Sequence, residues 1–208
     1  MSVIQSHPQS VPRLHVVRPD EPGIDLGAAE RAVRDLLVAL GEDPTSEHLA
    51  ATPGRVARAF AEMLTATPFT ATTFPNDEGY DELVLARDIP FHSLCQHHLL
   101  PFAGVAHVAY LPADRIVGLS KLGRIVDHFA RGLQAQERLT CQVADWLDDH
   151  LSPRGVGVVL TAEHSCMSLR GVQKQGARTV TSALRGLVRD DPRTREEFLT
   201  LARERSTS

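Results

Sequence analysis

The order in which two hydrophobic periodicities alternate sets the strongest limit on how this chain can fold. Residues 27–40 repeat apolar side chains at helical spacing, with Ala32, Val33, Leu36, Leu37, Ala39 and Leu40 on a broad face and Gly41 placed as a stop. Thr52-Pro53 opens a second helix, Thr as N-cap and Pro in the first helical position, and Val56, Ala59, Phe60 and Met63 follow on one face. The period then shortens to two. Asp81–Arg87 and Phe102–Tyr110 read as strands, with Phe102, Gly104, Ala106 and Val108 sharing a face and Pro112 closing the second. Helical spacing returns from Ser120, a candidate cap, to about Leu133 through Leu122, Ile125, Val126 and Phe129. A further helix over Glu137–Leu151 carries Leu139, Val143, Trp146 and Leu147. Gly155–Thr161, Cys166–Val172 and Thr179–Ala183 then read as strands. Two helices, two strands, two helices and further strands predict an α+β fold, not a βαβ series.

Composition narrows the function. A chain of 208 residues with 42% hydrophobic content suits one compact domain, here expected over residues 24–208. Residues 1–23 hold four Pro and little periodicity, and predict a flexible arm or a strand-like extension ordered by a partner subunit. A formal charge of -4 argues against a global nucleic-acid footprint while allowing a local basic pocket. No apolar run approaches the roughly 20 residues of a membrane span, and MSVIQSHPQSVPR lacks the apolar core of an export signal. The expectation is a cytoplasmic protein with neither a membrane nor a nucleic-acid partner. Its 3 Cys do not suggest a secreted disulfide scaffold.

The sharpest chemical feature is Cys95-Gln96-His97-His98 taken with the distant His164-Ser165-Cys166. Thiolate and imidazole suit zinc, and Cys95 and His98 stand three apart, so one tight turn can aim both at one ion. Cys166 completes a Cys-His-Cys set, and three protein ligands leave the fourth position open to water, as catalytic sites do. His97 and His164 are then candidates for acid–base work. A structural four-ligand zinc using His97 or His164, or unrelated core residues, are the other readings of the same pattern. Cys141, in the middle of an amphipathic helix, reads as a small buried hydrophobe. His107, His128 and His150 read as structural or surface residues.

Arg55, Lys121, Arg124, Arg170, Lys174 and Arg178 stand near loop or helix starts, and Ser120 adds a hydroxyl. Convergent, they would suit phosphate; dispersed, they are solvated surface charge. Gln134, Gln136 and Glu137 lie at the junction of the two central helices. A carboxylate there can accept from the adjacent ring N–H and amino group that guanine presents, although a surface Glu–Gln pair is the commoner meaning.

Taken together these segments resemble GTP cyclohydrolase I. The resemblance rests on Leu40-Gly41-Glu42-Asp43-Pro44, Thr52-Pro53-Gly54-Arg55-Val56-Ala57, Cys95 through Phe102, His107-Val108-Ala109-Tyr110, Gly118-Leu119-Ser120-Lys121 with Arg124, Gln134 through Thr140, and His164 through Val172. It implies a tunnelling fold (T-fold), an antiparallel sheet backed by helices and assembled into a toroid, commonly a homodecamer of two pentamers with active sites between subunits. It implies conversion of GTP and water to 7,8-dihydroneopterin triphosphate and formate. By the same resemblance Cys95, His98 and Cys166 hold catalytic Zn2+, and Glu137 anchors guanine with help from Gln136. Arg55, Ser120, Lys121, Arg124 and Arg170 surround the ribose and triphosphate, and His97 and His164 transfer protons. One departure falls inside the site: the family usually has Glu where this chain has Gln96, which keeps the shape and loses the charge. That leaves open a divergent purine cyclohydrolase, releasing a ring-opened intermediate or using a modified purine, or a weakly catalytic zinc-stabilised nucleotide-binding assembly.

Overall fold

A computed structural model of the chain describes residues 13–15 and 23–203. The expected arm therefore lies mostly outside the described residues. Within it, strand β1 (Arg13–His15) pairs antiparallel with β2 (Thr70–Pro75), which pairs in turn with β5 (Arg115–Val117).

Helices α1 (Leu26–Ala39) and α2 (Thr52–Leu64) form where the periodicity places them. The Asp25 side chain accepts from the Ala28 N–H at 2.8 Å and starts α1. Gly41, at φ 86°, lies just past its end, in the left-handed region that costs glycine little. The expected cap at Thr52 is corrected: Ala51 is the N-cap residue and makes no side-chain cap bond, while Pro53 sits in the first turn. Although α1 is amphipathic, none of its residues is buried, and Leu36 and Leu40 are 56% and 69% exposed. Val33 and Leu37 are half-buried where α1 packs against α2, while Ala32 and Leu36 stay exposed.

The main sheet has the order β6-β3-β4-β7-β8, formed by β3 (Val84–Cys95), β4 (Pro101–Leu111), β6 (Leu133–Gln134), β7 (Gly155–His164) and β8 (Thr179–Arg185). Its pairs are antiparallel except the two-residue parallel pairing of β6 with β3, so the sheet is mixed where a purely antiparallel one was expected. β3 runs on to Cys95, well past the expected end at Arg87. Pro90 reads as a strand breaker, and a bulge between Ala86 and Ile89, with Asp88 at φ 54°, interrupts the alternation. The bulge is pinned by the Asp88 N–H donating to the buried His107 Nδ1 at 3.4 Å.

One face of the sheet is covered by α3 (Leu119–Ala130) and α4 (Gln136–Leu151). Leu122, Ile125 and Val126 from α3, and Leu139, Val143 and Leu147 from α4, are fully buried against Phe102, Ala106, Val108, Val158 and Leu160. Each large aliphatic side chain so removed from water contributes about 1.5–3 kcal/mol. Gly118 precedes α3 without a side-chain cap, so Ser120 lies inside the first turn and does not cap the helix. Cys141 is exposed on α4, not buried as expected. Its helix turns a broad apolar arc inward, but position 141 falls outside that arc, beside the Arg185 guanidinium on β8.

Two further corrections concern the last third of the chain. Cys166–Val172 is not a strand: α5 (Ser165–Ser168) makes a single turn, and Leu169 and Val172 are 70% and 61% exposed. Two unanticipated helices, α6 (Gly186–Asp190) and α7 (Pro192–Arg203), pack a second core of Ala109, Val159, Val188, Phe198 and Ala202. Gly157 permits this approach, since a Cβ there would lie 2.7 Å from the Phe198 ring. Phe198→Ala should cost about 3–4 kcal/mol of stability, read as a lowered denaturation midpoint. A loss under about 1 kcal/mol would show that Phe198 does not anchor α7. Among the described residues no helix is long and apolar enough to cross a membrane.

Candidate active site

Strand register brings the two distant motifs together. Cys95 ends β3 and Pro101 begins β4, so residues 96–100 form the connecting turn. The Cys95 carbonyl accepts from the His98 and Leu99 N–H groups at 3.2 and 2.9 Å, and the Cys95 N–H donates to the Leu100 carbonyl at 2.9 Å. Leu99 adopts φ 54°, which closes the turn and leaves Gln96, His97 and His98 exposed beside the buried Cys95. The Gln96 N–H donates to the Gln134 carbonyl at 3.0 Å and ties the turn to β6. Gln134 is buried, and its amide donates to the Phe129 carbonyl at 2.7 Å and to Gln142 at 2.8 Å. From the other side, Phe102 pairs with His164 across β4 and β7, and α5 begins at the next residue, which brings Cys166 back over the sheet's end.

The result is a cluster of Cys95 Sγ, a His98 ring nitrogen and Cys166 Sγ, all within 4.8 Å of one another. Cys95 Sγ lies 3.6 Å from His98 Nδ1. Thiolate and imidazole on one tetrahedral zinc stand about 3.5 Å apart, from bonds of about 2.3 and 2.0–2.1 Å. The donor set and this spacing fit such an ion. Burial raises the Cys166 pKa, and so does the neighbouring Cys95, because two thiols this close cannot both ionise cheaply. A cation between them reverses that preference.

The groups beside the cluster are those expected for proton transfer and base recognition. His97 Nδ1 lies 3.8 Å from Cys95 Sγ, and His97 Nε2 lies 3.2 Å from the Gln96 amide nitrogen. His164 is half-buried and stacks on Phe102, with centroids 4.5 Å apart and planes 4° from parallel. Burial lowers the His164 pKa, and the Glu137 carboxylate opposes that, which puts Glu137 within electrostatic reach of the ring. Glu137 is exposed in the first turn of α4. Gln136 beside it is buried, and its Oε1 lies 2.7 Å from His164 Nε2. Arg170, just past α5, is close enough to Cys166 to favour the thiolate.

The remaining cationic candidates lie on other elements. Arg55 is exposed on α2, and Ser120, Lys121 and Arg124 are on α3. Arg124 lines a cavity of about 420 Å³ with Thr67, Pro68, Phe69, Asp127, His128 and Arg131, a set that includes none of the metal-cluster residues. The chain thus gathers the metal, proton-transfer and base-recognition candidates at one end of the sheet, and keeps most of the phosphate candidates elsewhere. Sequence reasoning missed Phe102 as the platform under His164 and Gln134 as the tie beneath the turn. Both lie inside the recognised blocks, but stacking and register are not visible in a one-dimensional pattern.

Comparison with known proteins agrees with this geometry. The profile of the family described as GTP cyclohydrolase I matches residues 29–203. The chain is 57% identical over 178 residues to GTP cyclohydrolase 1 of Streptomyces avermitilis, covering 83% of this chain and 88% of that one. It is 53% identical over 184 residues to the Thermobifida fusca protein of the same name, covering 86% and 89%. It is 53% identical over 180 residues to that of Aquifex aeolicus, covering 86% and 98%. With a profile match spanning most of the chain and relatives at this identity, the chain belongs to the GTP cyclohydrolase I family.

Proposed function

We propose that this chain converts GTP and water to 7,8-dihydroneopterin triphosphate and formate at a zinc ion held by Cys95, His98 and Cys166. The observation that carries the reading is the grouping of two thiols and an imidazole with two further histidines and the Glu137 carboxylate at one sheet end. When bound, zinc would supply Lewis acidity that makes water a nucleophile near neutral pH.

The chain's own residues do the rest. Glu137 accepts from the adjacent ring N–H and amino group of guanine and so holds C8 toward the cluster. His97 and His164 hold and return protons as water adds at C8, the C8–N9 bond opens and the formamide is hydrolysed. The ribose then opens, rearranges in an Amadori-type step and closes on the free amine. Arg170, Arg55, Ser120, Lys121 and Arg124 take the ribose and triphosphate. Because most of these stand away from the cluster, the reading includes a pocket completed by a neighbouring subunit. The exposed apolar residues Leu36 and Val38 of α1 and the open edge of β8, where Val180 is 62% exposed, support a toroidal homodecamer of two pentamers. Residues 24–208 form the catalytic unit in this reading and residues 1–23 an arm, and the protein works in the cytoplasm. Sedimentation should show a large homo-oligomer, and an active, strictly monomeric species would remove the shared-pocket model.

The test of the activity is product analysis. Zinc-loaded protein given GTP should release formate and a pterin in equal amounts. Intact GTP after incubation with fully loaded protein would overturn the assignment.

A second reading has one observation in its favour, the amide of Gln96 lying 3.2 Å from His97 where the family usually has a carboxylate. The amide NH2 donates to His97 Nε2 where a carboxylate would accept, and it supplies no charge to favour a protonated neighbour. Under this reading the chain releases a ring-opened product. Gln96→Glu should then speed a late step, by on the order of tenfold for about 1.4 kcal/mol, with ring opening little changed. Mass spectrometry and pterin fluorescence over time separate the two. Equal pterin rates from both proteins would make the substitution neutral.

A further inference from the structure

Lys174 and Arg178, cations singled out in the sequence, have no place in the reaction proposed above. The structure puts Arg178 on the other face of the main sheet. Side chains alternate between the two faces of a strand. Along β4 and β7, Phe102, Ala106, Leu160 and His164 point toward α3 and α4, so their neighbours in sequence point away. Strand register sets those neighbours in rows: Val105, Thr161 and Val180 form one, and His107, Val159 and Ser182 the next. The second core, under α7, covers one part of this face. The rows line a cavity of about 550 Å³, bordered by Leu199, Ala202 and Arg203 of α7, by Asp88 at the β3 bulge and by Arg178 at the approach to β8. The metal-cluster residues are not in its lining.

The chemistry of the lining is specific. His107 is 7% exposed. Its Nδ1 accepts from the Asp88 N–H at 3.4 Å, so in the neutral ring the hydrogen sits on Nε2. Burial lowers the His107 pKa and so favours that neutral ring. The Nε2–H meets no acceptor among the described residues, and the side chains of Arg178, Arg203 and Ser182 have no hydrogen-bond or ion-pair partner among them either. The guanidiniums of Arg178 and Arg203 face one carboxylate, that of Asp88, which leaves a net positive charge suited to a monoanion. Their forked N–H groups match the paired oxygens of a carboxylate. Val105, Val159, Val180 and Leu199 supply apolar wall. A volume in the range of about 300–1,000 Å³, with apolar walls and a few placed polar groups, is the pattern of a small-molecule site. A triphosphate, far more charged, does not match it.

We propose that this cavity is a second binding site, taking a small organic monoanion whose carboxylate is held by Arg178, Arg203 and the His107 Nε2–H and whose apolar body lies against Val105, Val159, Val180 and Leu199. The site does not depend on turnover at the metal cluster.

Naphthoate, with fused rings and one carboxylate, is the probe. Calorimetry on the full-length, assembled protein should show saturable binding of about one probe per chain. Naphthylmethanol, with the rings and no charge, and acetate, with the charge and no rings, should each bind at least about tenfold more weakly. Arg178→Gln and Arg203→Gln should each weaken naphthoate binding about tenfold. Ser182→Phe, which fills the cavity, should abolish it. All three replace exposed side chains, so the variants should fold, with circular dichroism as the check. Binding must persist in Cys166→Ala, with or without added GTP, because neither metal nor nucleotide enters the cavity. A crystal structure of the complex should place the carboxylate on the two guanidiniums. Absence of saturable binding, equal binding of naphthylmethanol, or indifference to the substitutions would overturn the site. So would loss of the probe in Cys166→Ala or its displacement by GTP. A wild-type protein that leaves GTP intact yet binds naphthoate in this way would remove the functional reading and leave the second site standing.

Discussion

Cys166→Ala is expected to reduce zinc from about one ion per chain to near zero and to lower GTP turnover by on the order of a thousandfold or more. The cluster holds only three ligand-bearing residues among those described, and Cys166 comes from a different motif than the other two. Removing it leaves Cys95 and His98 on one turn, a pair that cannot close around an ion. The half-buried position of Cys166 in a one-turn helix makes its loss structurally mild, so the protein should still fold and assemble. Cys141→Ala is the matched control, since that thiol is exposed on another element and should change neither zinc content nor rate. Metal analysis beside circular dichroism reads both arms. Full zinc occupancy in Cys166→Ala would sink the ligand set.

Glu137→Gln is expected to weaken use of GTP by about 100- to 1000-fold in kcat/KM, the cost of leaving paired donors without their carboxylate. Discrimination between GTP and inosine triphosphate, which lacks the amino group, should largely disappear. Glu137 is exposed at a helix start, so stability should move by no more than about 1 kcal/mol. A second consequence follows from its reach to His164. The carboxylate partly offsets the burial that lowers the His164 pKa. Without it the lowering is unopposed, and any limb of the pH–rate profile belonging to His164 should shift to lower pH. Unchanged affinity and unchanged discrimination would remove Glu137 from guanine recognition.

Much of this was legible in the sequence where one physical rule dominated. The helices over residues 27–40 and 137–151 were visible because their apolar positions repeat at one period, and both formed. The metal cluster was visible because Cys and His at short spacing have few other uses, and Cys95, His98 and Cys166 do converge. Legibility failed where rules competed. Pro90 and the bulge at Asp88 concealed the length of β3, although both are accommodated because β6 pairs only with Leu94 and Cys95 and asks for no ladder bond at residues 88–90. Alternating Met167 and Leu169 imitated a strand, but those side chains point to solvent from a single helical turn and its exit. Cys141 was misjudged because a helix position one step off the apolar arc looks the same in composition as one inside it. The surroundings of Gln136 were hidden for another reason. Its partners Leu160, Thr179 and Thr181 are distant in sequence, and only the register of β7 and β8 places their oxygens around one amide.

The closing of the sheet's end by residues so far apart has a consequence for the unfolded chain. An ion gripped by Cys95, His98 and Cys166 is a reversible cross-link across a loop of about 70 residues. By the same loop-entropy argument that applies to disulfides, such a link favours the native state by about 4 kcal/mol over an unlinked chain, when it persists in the unfolded ensemble. An ion that is instead released on unfolding stabilises by mass action, in proportion to the logarithm of its free concentration. Either way the melting temperature becomes a gauge of metal supply. Under the proposed zinc reading, a cell short of zinc would hold not only idle copies of this protein but copies whose β3–β4 turn and β7 end have lost a shared tie, with two thiols open to oxidation.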